Sequence, residues 1–361
     1  MDRNPIISHR FSSLKLSPQH SVPSTNLTVS PEFIDRLWYG KHPVSLLLLP
    51  ASLCYKLFMI ARRVGYATGL LPVKRVGVPV IIIGNITVGG TGKTPLVIWV
   101  ADYLRKNNFH PGIISRGYGG MTTQWPQQVR PDSNPVTVGD EPVLIARRTG
   151  CPVAVSPDRY KAAVELLEHR KCDILICDDG LQHHALARDI EIAVIDSVRR
   201  FGNGRCIPAG PLREPVSRLK SVDIVVSNGR PEHGEYPMEI ISGSLHSVLN
   251  PERKPEIDAL LTRPVHAVAG IGNPPRFFAQ LRKMGFRLIE HRFPDHYRFK
   301  RTDIQFSDEL PVIMTEKDAV KCTEIADEKH WYLSVDARMN SIFEHRFSKL
   351  LKDVTNGQKT A

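Results

Sequence analysis

The stretch "PVIIIGNITVGGTGKTPLVIWVADYLRKN", residues 79–107, changes character twice. An apolar β-branched run gives way to a turn of glycine and threonine. After Lys93 and Thr94 the apolar residues fall at 96, 97, 100, 101 and 104, which is one face of a helix. Strand, glycine-rich turn, Gly-Lys-Thr and helix are the four parts of a phosphate-binding loop, whose backbone N–H groups surround phosphate at a helix N-terminus. Thr87, Val88, Gly89, Gly90, Thr91, Gly92, Lys93 and Thr94 then form a nucleotide cradle, with Lys93 on the β- and γ-phosphates and Thr94 on magnesium. Thr87 stands where the common G-x4-G-K-T pattern has its first glycine; Gly89, Gly90 and Gly92 still allow a tight turn. The alternative is an ordinary glycine turn between strand and helix.

Outward from this unit, short β-branched runs alternate with helical stretches: "PGIIS", "PVTVG", "CPVAVS", "CDILICDD", "IEIAVID" and "VDIVVSN" read as strands, and "DRYKAAVELLEHRK" as a helix. Continuous apolar strands separated by helices imply a parallel sheet covered on both faces. The expected fold class is therefore α/β, a P-loop NTPase-like parallel sheet flanked by helices. A smaller C-terminal α/β lobe follows from about Pro264, with strands "VHAVAGIG", "FRLIEHRF", "PVIMTEK" and "WYLSV" and helix "PPRFFAQLRKMG". The expected division is 1–30 as a disordered tail, 31–75 as a membrane-associated helical segment, 76–262 as the P-loop domain and 263–361 as the C-terminal lobe.

A P-loop needs a carboxylate at the end of a second buried strand to hold magnesium. "DILICDDG" offers Asp178 and Asp179, and "LQHH" just after them leaves a pure metal site with His183 and His184 as the alternative. Phosphoryl transfer to an alcohol further benefits from a base near the acceptor and from cations that steady charge. Asp140 and Glu141 of "VGDEP", Arg116 of "RGYGG", and Arg213 and Glu214 of "PAGPLREP" lie in loops after predicted strands, at the carboxyl edge where such sites form. Asp140 reads equally as a helix N-cap. His296, beside Asp295 in "FPDHYRF", reads as a base with an acid partner or as a buried, hydrogen-bonded histidine. Lys317 of "TEKDAVK" is a phosphate contact or a solvated charge.

Lys and Arg outnumber Asp and Glu by 48 to 37 in 361 residues, which favours anionic partners. Much of the excess lies before residue 80, and no aromatic-basic groove motif accompanies it, which argues against nucleic acid. The six cysteines form neither a CxxC pair nor a disulfide framework and are read as reduced thiols facing the cytoplasm. Residues 1–30, rich in Ser, Pro, Asn and Thr, lack apolar periodicity; a transit peptide would share their scarcity of acids, but the Arg content is thin. The apolar stretch 44–61 contains Pro50 and Lys56 and is closed by Arg62 and Arg63, which argues against a clean span. With Trp38, Tyr39 and Tyr55 as interface-type aromatics and seven Lys/Arg against Glu32 and Asp35 over 31–80, it suits a helix in the membrane interface near anionic headgroups. A helix packed on its own domain has the same periodicity.

The series "GNITVGGTGKTP", "ISRGYGG", "GDEP", "DDGLQHH", "PAGPLREP", "GIGNPPRFF", "FPDHYRF" and "TEKDAVK", in that order, resembles the tetraacyldisaccharide 4'-kinase (lipid A 4'-kinase) family of Gram-negative bacteria. The resemblance runs from about residue 31 to 350. It implies a lipid kinase that moves the ATP γ-phosphate to the 4'-hydroxyl of a tetraacylated glucosamine disaccharide 1-phosphate, forming lipid IVA in lipid A biosynthesis. It also implies a peripheral enzyme on the cytoplasmic face of the bacterial inner membrane, with no obligate protein partner evident. By resemblance Thr87–Thr94 become the ATP loop, with Thr87 the family's own variant. Asp178, Asp179 and Glu214 become acids associated with Mg2+ and its surroundings, and Asp140 and His296 a pair that activates the acceptor hydroxyl. The competing reading is a membrane-associated P-loop ATPase or GTPase switch, which would not need an acid and a histidine drawn from different lobes.

Overall fold

In a computed structural model, residues 31–40 and 42–358 are described; the tail 1–30 lies outside them. The chain opens with helices α1 (Pro31–Tyr39), α2 (Val44–Leu47) and α3 (Leu49–Ala67). The first half continues as β1 (Val80–Gly84), α4 (Lys93–Lys106), β2 (Pro111–Ser115), β3 (Gln127–Val129), α5 (Pro135–Val138), α6 (Asp140–Thr149) and β4 (Val153–Val155). It then runs through α7 (Arg159–His169), β5 (Ile174–Asp178), β6 (Ile190–Asp196), β7 (Ile224–Asn228) and β8 (Tyr236–Ser247). The second half holds α8 (Ile257–Leu261), β9 (Val265–Ala269), α9 (Pro274–Lys283), β10 (Leu288–Arg292), α10 (Arg301–Ile304), β11 (Val312–Thr315), α11 (Glu316–Cys322), β12 (His330–Met339) and α12 (Ser341–Gln358).

Among the described residues the strands form one twelve-stranded sheet, in the order β10-β9-β11-β12-β8-β7-β6-β1-β5-β2-β4-β3. Strands β1, β2, β5 and β6 are buried at every position, so their apolar runs need cover on both faces. β1 pairs in parallel with β5 on one side and β6 on the other. The loop after β1 therefore opens where the strand order turns, the position at which open α/β sheets bind ligands. Helix α4 buries the stripe Leu96, Val97, Val100, Ala101 and Leu104, and Arg105 and Lys106 complement the dipole in its last turn.

The sheet does not break between the halves. β8 pairs in parallel with β7 and antiparallel with β12, so it joins the two sets of strands. The last helix, α12, returns to the first half, where Phe343 and Phe347 are buried against Trp99 and Tyr103 of α4. All six cysteines are free.

One expected strand is corrected. "PVTVG" forms the short helix α5, because Asn134 caps it by accepting from the Val136 N–H at 2.8 Å and Pro135 occupies the first turn. Cap and proline together outweigh the β-branched valines and threonine.

The N-terminal helices show two faces. Inward, Ser52 Oγ donates to the Cys206 carbonyl at 2.7 Å, Tyr55 OH to that of Arg213 at 3.0 Å and Arg62 Nη1 to that of Gln182 at 2.9 Å. Outward, Leu46, Leu47, Leu53, Leu57, Phe58 and Val64 are exposed. Among the described residues no helix is long and apolar enough to cross a membrane. The three aromatics read as interface anchors turn to the protein instead. Trp38 Nε1 donates to the Pro208 carbonyl at 3.0 Å, Tyr39 lies under Arg199 at 5.0 Å, and Tyr55 bonds Arg213, because polar tips are satisfied where acceptors are near.

Arg148 of α6 fastens the first half to the second: Nη1 donates to Glu316 Oε2 at 2.8 Å and Nη2 to Asp336. Glu316 is buried, so Arg148→Ala leaves it without its cation. The variant is expected to lose about 2 kcal/mol after allowance for partial exposure, read as a lower urea midpoint at unchanged m. An unchanged midpoint would mean that Glu316 is rehydrated at no cost.

Candidate active site

The loop after β1 is held by its neighbours as well as by its glycines. Gly92 takes φ +95°, and a Cβ there would come 2.7 Å from Asn228 Nδ2. That same Nδ2 donates to the Thr91 carbonyl at 3.0 Å, and the Val88 N–H donates to the Pro211 carbonyl at 2.8 Å. Asn85 Nδ2 reaches the Gly89 carbonyl at 3.4 Å and Thr91 Oγ1 at 3.3 Å. Lys93 begins α4 directly after this turn, with Thr94 beside it. The turn thus runs into the N-terminus of α4, the setting in which backbone N–H groups seat phosphate.

Asp178 ends β5 and is almost fully buried. Ser115 Oγ donates to its Oδ2 at 3.0 Å, while Oδ1 has no partner. Burial, with Glu141 and Asp179 adding negative charge, holds this carboxyl well above the usual range, against the pull of Lys93. Asp179 goes the other way. Burial raises it, but Lys93 at 3.5 Å and Arg213 at 2.9 Å outweigh burial and keep it ionised. Two adjacent acids thus differ, one paired with cations and one short of a cation.

Asp140 begins α6 and is buried, and His296 Nδ1 lies 3.0 and 3.1 Å from its two oxygens. Burial works against its ionisation, yet the His296 hydrogen bond, Lys317 and Lys321 bring its pKa down to about 2. For His296 burial is again the largest influence and favours the neutral ring; the Asp140 bond outweighs it and raises the pKa above 6.5. His296 has φ +57°, a conformation held by the Asp295 side chain accepting its N–H at 3.0 Å. Lys317 Nζ contacts Glu141 Oε1 at 2.9 Å, Asp295 Oδ1 at 3.1 Å and His296 Nε2 at 3.3 Å, so it is neither solvated nor free. Gly119, Asp140, His296, Arg298, Phe299 and Lys321 line a cavity beside the pair.

Donor and acceptor sides meet. A Cβ on Gly272 would stand 3.1 Å from the Gly90 N and 3.4 Å from Asp295 Oδ2, so the segment preceding α9 abuts the phosphate loop and the residue beside His296 lies against that same segment. The expected pairing of Asp140 with His296 is present, and Lys93 lies 3.5 Å from Asp179 of the acid pair. Glu214 is not gathered with them. Among the described residues no cluster of three metal-ligating side chains includes Asp178, Asp179 or Glu214. Its buried carboxylate accepts from Gln182 at 2.7 Å and faces Arg218 at 3.4 Å and His184 at 3.8 Å. Among the described residues His183 and His184 form no ligand cluster with Asp178 and Asp179, and burial lowers both their pKa values, to about 4 and about 3. Arg116 is exposed in the turn after β2.

Sequence reasoning missed Ser115, Asn228 and Asn85. Ser115 and Asn228 carried the signal that marked Asp178, a polar residue at the carboxyl end of an apolar parallel strand. Asn85 follows β1 directly.

A family model described as tetraacyldisaccharide-1-P 4'-kinase matches residues 44–352. A tetraacyldisaccharide 4'-kinase of Nitrosococcus oceani is 50% identical over 319 residues, 88% of this chain and 94% of the relative. That of Alkalilimnicola ehrlichii is 52% identical over 295 residues, 81% of this chain and 88% of the relative. A crystal structure of "apo" form LpxK from Aquifex aeolicus in complex with ATP is similar at a TM-score of 0.74 and 29% identity, covering 86% of this chain and 99% of that one.

Proposed function

The chain belongs to the tetraacyldisaccharide-1-P 4'-kinase family, and on that premise we infer that it transfers the γ-phosphate of ATP to the 4'-hydroxyl of an acylated glucosamine disaccharide 1-phosphate. The observation that carries the reading is the Asp140–His296 pair, drawn from opposite halves and set beside the segment that abuts the phosphate loop. A nucleotide switch has no use for it.

In the reaction we propose, the turn from Thr87 to Thr94 seats the triphosphate, and the Lys93 ammonium answers charge on the β- and γ-phosphate oxygens. Asp140 accepts the Nδ1 proton of His296, which fixes the tautomer with Nε2 as the acceptor atom. Lys317 now donates to Nε2; the acceptor hydroxyl takes that place, and the ammonium keeps its bonds to Glu141 and Asp295. His296 then removes the hydroxyl proton as the oxygen attacks the γ-phosphorus in line and the bond to the ADP oxygen breaks.

The donor set suits a hard divalent cation, since Asp178 carries a buried oxygen without a partner and a carboxyl whose raised pKa added positive charge would lower. We assign Thr94 and Asp178 to hold Mg2+, with Asp179 beside them; when bound, the ion supplies neutralising charge to the phosphate oxygens. Glu214 serves the surroundings, fixing Gln182 and Arg218. The exposed apolar face of α2 and α3, with Lys56, Arg62 and Arg63 near it, supports a peripheral enzyme on an anionic lipid surface, the cytoplasmic face of the inner membrane.

Radiolabelled ATP and the disaccharide 1-phosphate in detergent should yield labelled lipid. Label found only in free phosphate would remove the kinase reading and leave the nucleotide switch.

A further inference from the structure

The turn after β6 holds an arginine that the reaction above does not use. Asp196 Oδ1 accepts the N–H groups of Val198 at 2.9 Å and Arg199 at 2.8 Å, so the backbone at Arg199 is fixed. Its side chain reaches in two directions. Nη1 donates to the Gly272 carbonyl at 3.3 Å, while Nη2 lies 3.4 Å from Asp35 Oδ2 and the guanidinium covers the Tyr39 ring at 5.0 Å. Gly272 is the residue that abuts the Gly90 N of the phosphate loop; Asp35 and Tyr39 belong to α1. One side chain therefore joins the N-terminal helix to the segment resting on the nucleotide seat.

From this geometry we propose that Arg199 is a positioning residue for the nucleotide loop, and that through Asp35 it makes ATP binding responsive to docking of the N-terminal helices on lipid. The second clause rests on the peripheral-membrane reading above. Helix α1 is fastened separately to the loop after β6, where Asn203 donates from Nδ2 to the Leu37 carbonyl at 3.1 Å and from its backbone N–H to that of Trp38 at 2.8 Å. It leads directly into α2 and α3, with Leu47, Leu57 and Phe58 exposed. Asp35 is more than half exposed, so in water its pairing with Arg199 is weak; a lipid surface that excludes water strengthens it and holds Arg199 on Gly272. A second connection runs beside it without touching α1, from Arg276 Nη2 to Asn228 Oδ1 at 2.9 Å and from Asn228 to Thr91. Loss of Arg199 thus loosens the seat and does not dismantle it.

The test measures KM for ATP and kcat in detergent micelles and on anionic phosphatidylglycerol vesicles, with vesicle flotation alongside. Arg199→Ala should raise KM for ATP about fivefold or more with a smaller change in kcat. Arg199→Lys, which keeps charge but cannot bridge both partners, should do the same if the alanine variant folds poorly. Asp35→Asn should match the wild type in micelles yet lose the severalfold fall in KM that vesicles bring to the wild type. An unchanged KM in both Arg199 variants overturns the positioning role. Vesicles that float with the wild type but leave its KM unaltered overturn the coupling. Failure of the wild type to float, with Phe58→Asp behaving identically, overturns the membrane reading instead, and the micelle KM still decides the role of Arg199.

Discussion

Lys93→Ala is expected to lower kcat/KM for ATP by about a thousandfold, the scale on which a preorganised charge at a developing phosphate charge acts. Lys93 follows the left-handed Gly92 and opens α4, so its ammonium adds to the positive end of the helix dipole at the point where the loop would seat phosphate. It is mostly buried and lies 3.5 Å from Asp179, so its position does not depend on substrate arriving. Removing it has a second consequence. Asp179 keeps Arg213, but Asp178 loses the pull of Lys93 on its carboxyl, and the acid pair becomes harder to ionise. The loss should therefore appear in both KM and kcat. A variant with unchanged melting and near wild-type kcat would refute the phosphate role.

Asp140→Asn should lower kcat by about a hundredfold or more while KM for either substrate changes little, because the asparagine still accepts the Nδ1 proton but no longer stabilises an imidazolium. The pH profile gives an independent check. His296 must be neutral to take a proton, so wild-type kcat/KM rises with pH through a value above 6.5. In the variant the hydrogen bond to an anion is gone, burial and Lys317 prevail, and the limb moves to lower pH. If only KM moved, Asp140 would be a binding or capping residue.

The same pair has the opposite effect on stability. His296, raised above its ordinary 6.5, contributes fully below that value and loses its contribution as pH rises through the raised one. Asp140, lowered from 3.8 to about 2, contributes above 3.8 and loses it as pH falls toward 2. Pairing thus favours the folded state most between about pH 4 and 6.5, below the range in which the base is free to act.

What could be read in the chain was local. The loop after β1 and the acids after β5 each sit within a few residues of the apolar run that places them. An apolar parallel strand can be buried in only one way, so its carboxyl end is known wherever the strand goes. The helix at 135–138 was misread because a two-residue cap signal was set against a longer β-branched pattern. Strand β8 escaped because it carries no clear period of its own and is a strand through its pairing with β7 and β12; α12 was legible and left unread, since Phe343, Phe347, Leu350, Leu351 and Val354 fall on one helical face, the face that covers the aromatics of α4.

The site divides along the same line. Residue types and their order were sufficient to mark a phosphate cradle, an acid pair and a separated acid and histidine, and the order of motifs was sufficient to mark the family. That Asp140 and His296 touch, that Lys317 stands on the base, that Glu214 faces Gln182, and that Arg199 joins α1 to Gly272 were decided by the tertiary structure alone. A hydrogen bond between residues 156 positions apart depends on how the sheet is ordered and which segments abut, and that order comes from covering the apolar strands together, which no single segment encodes.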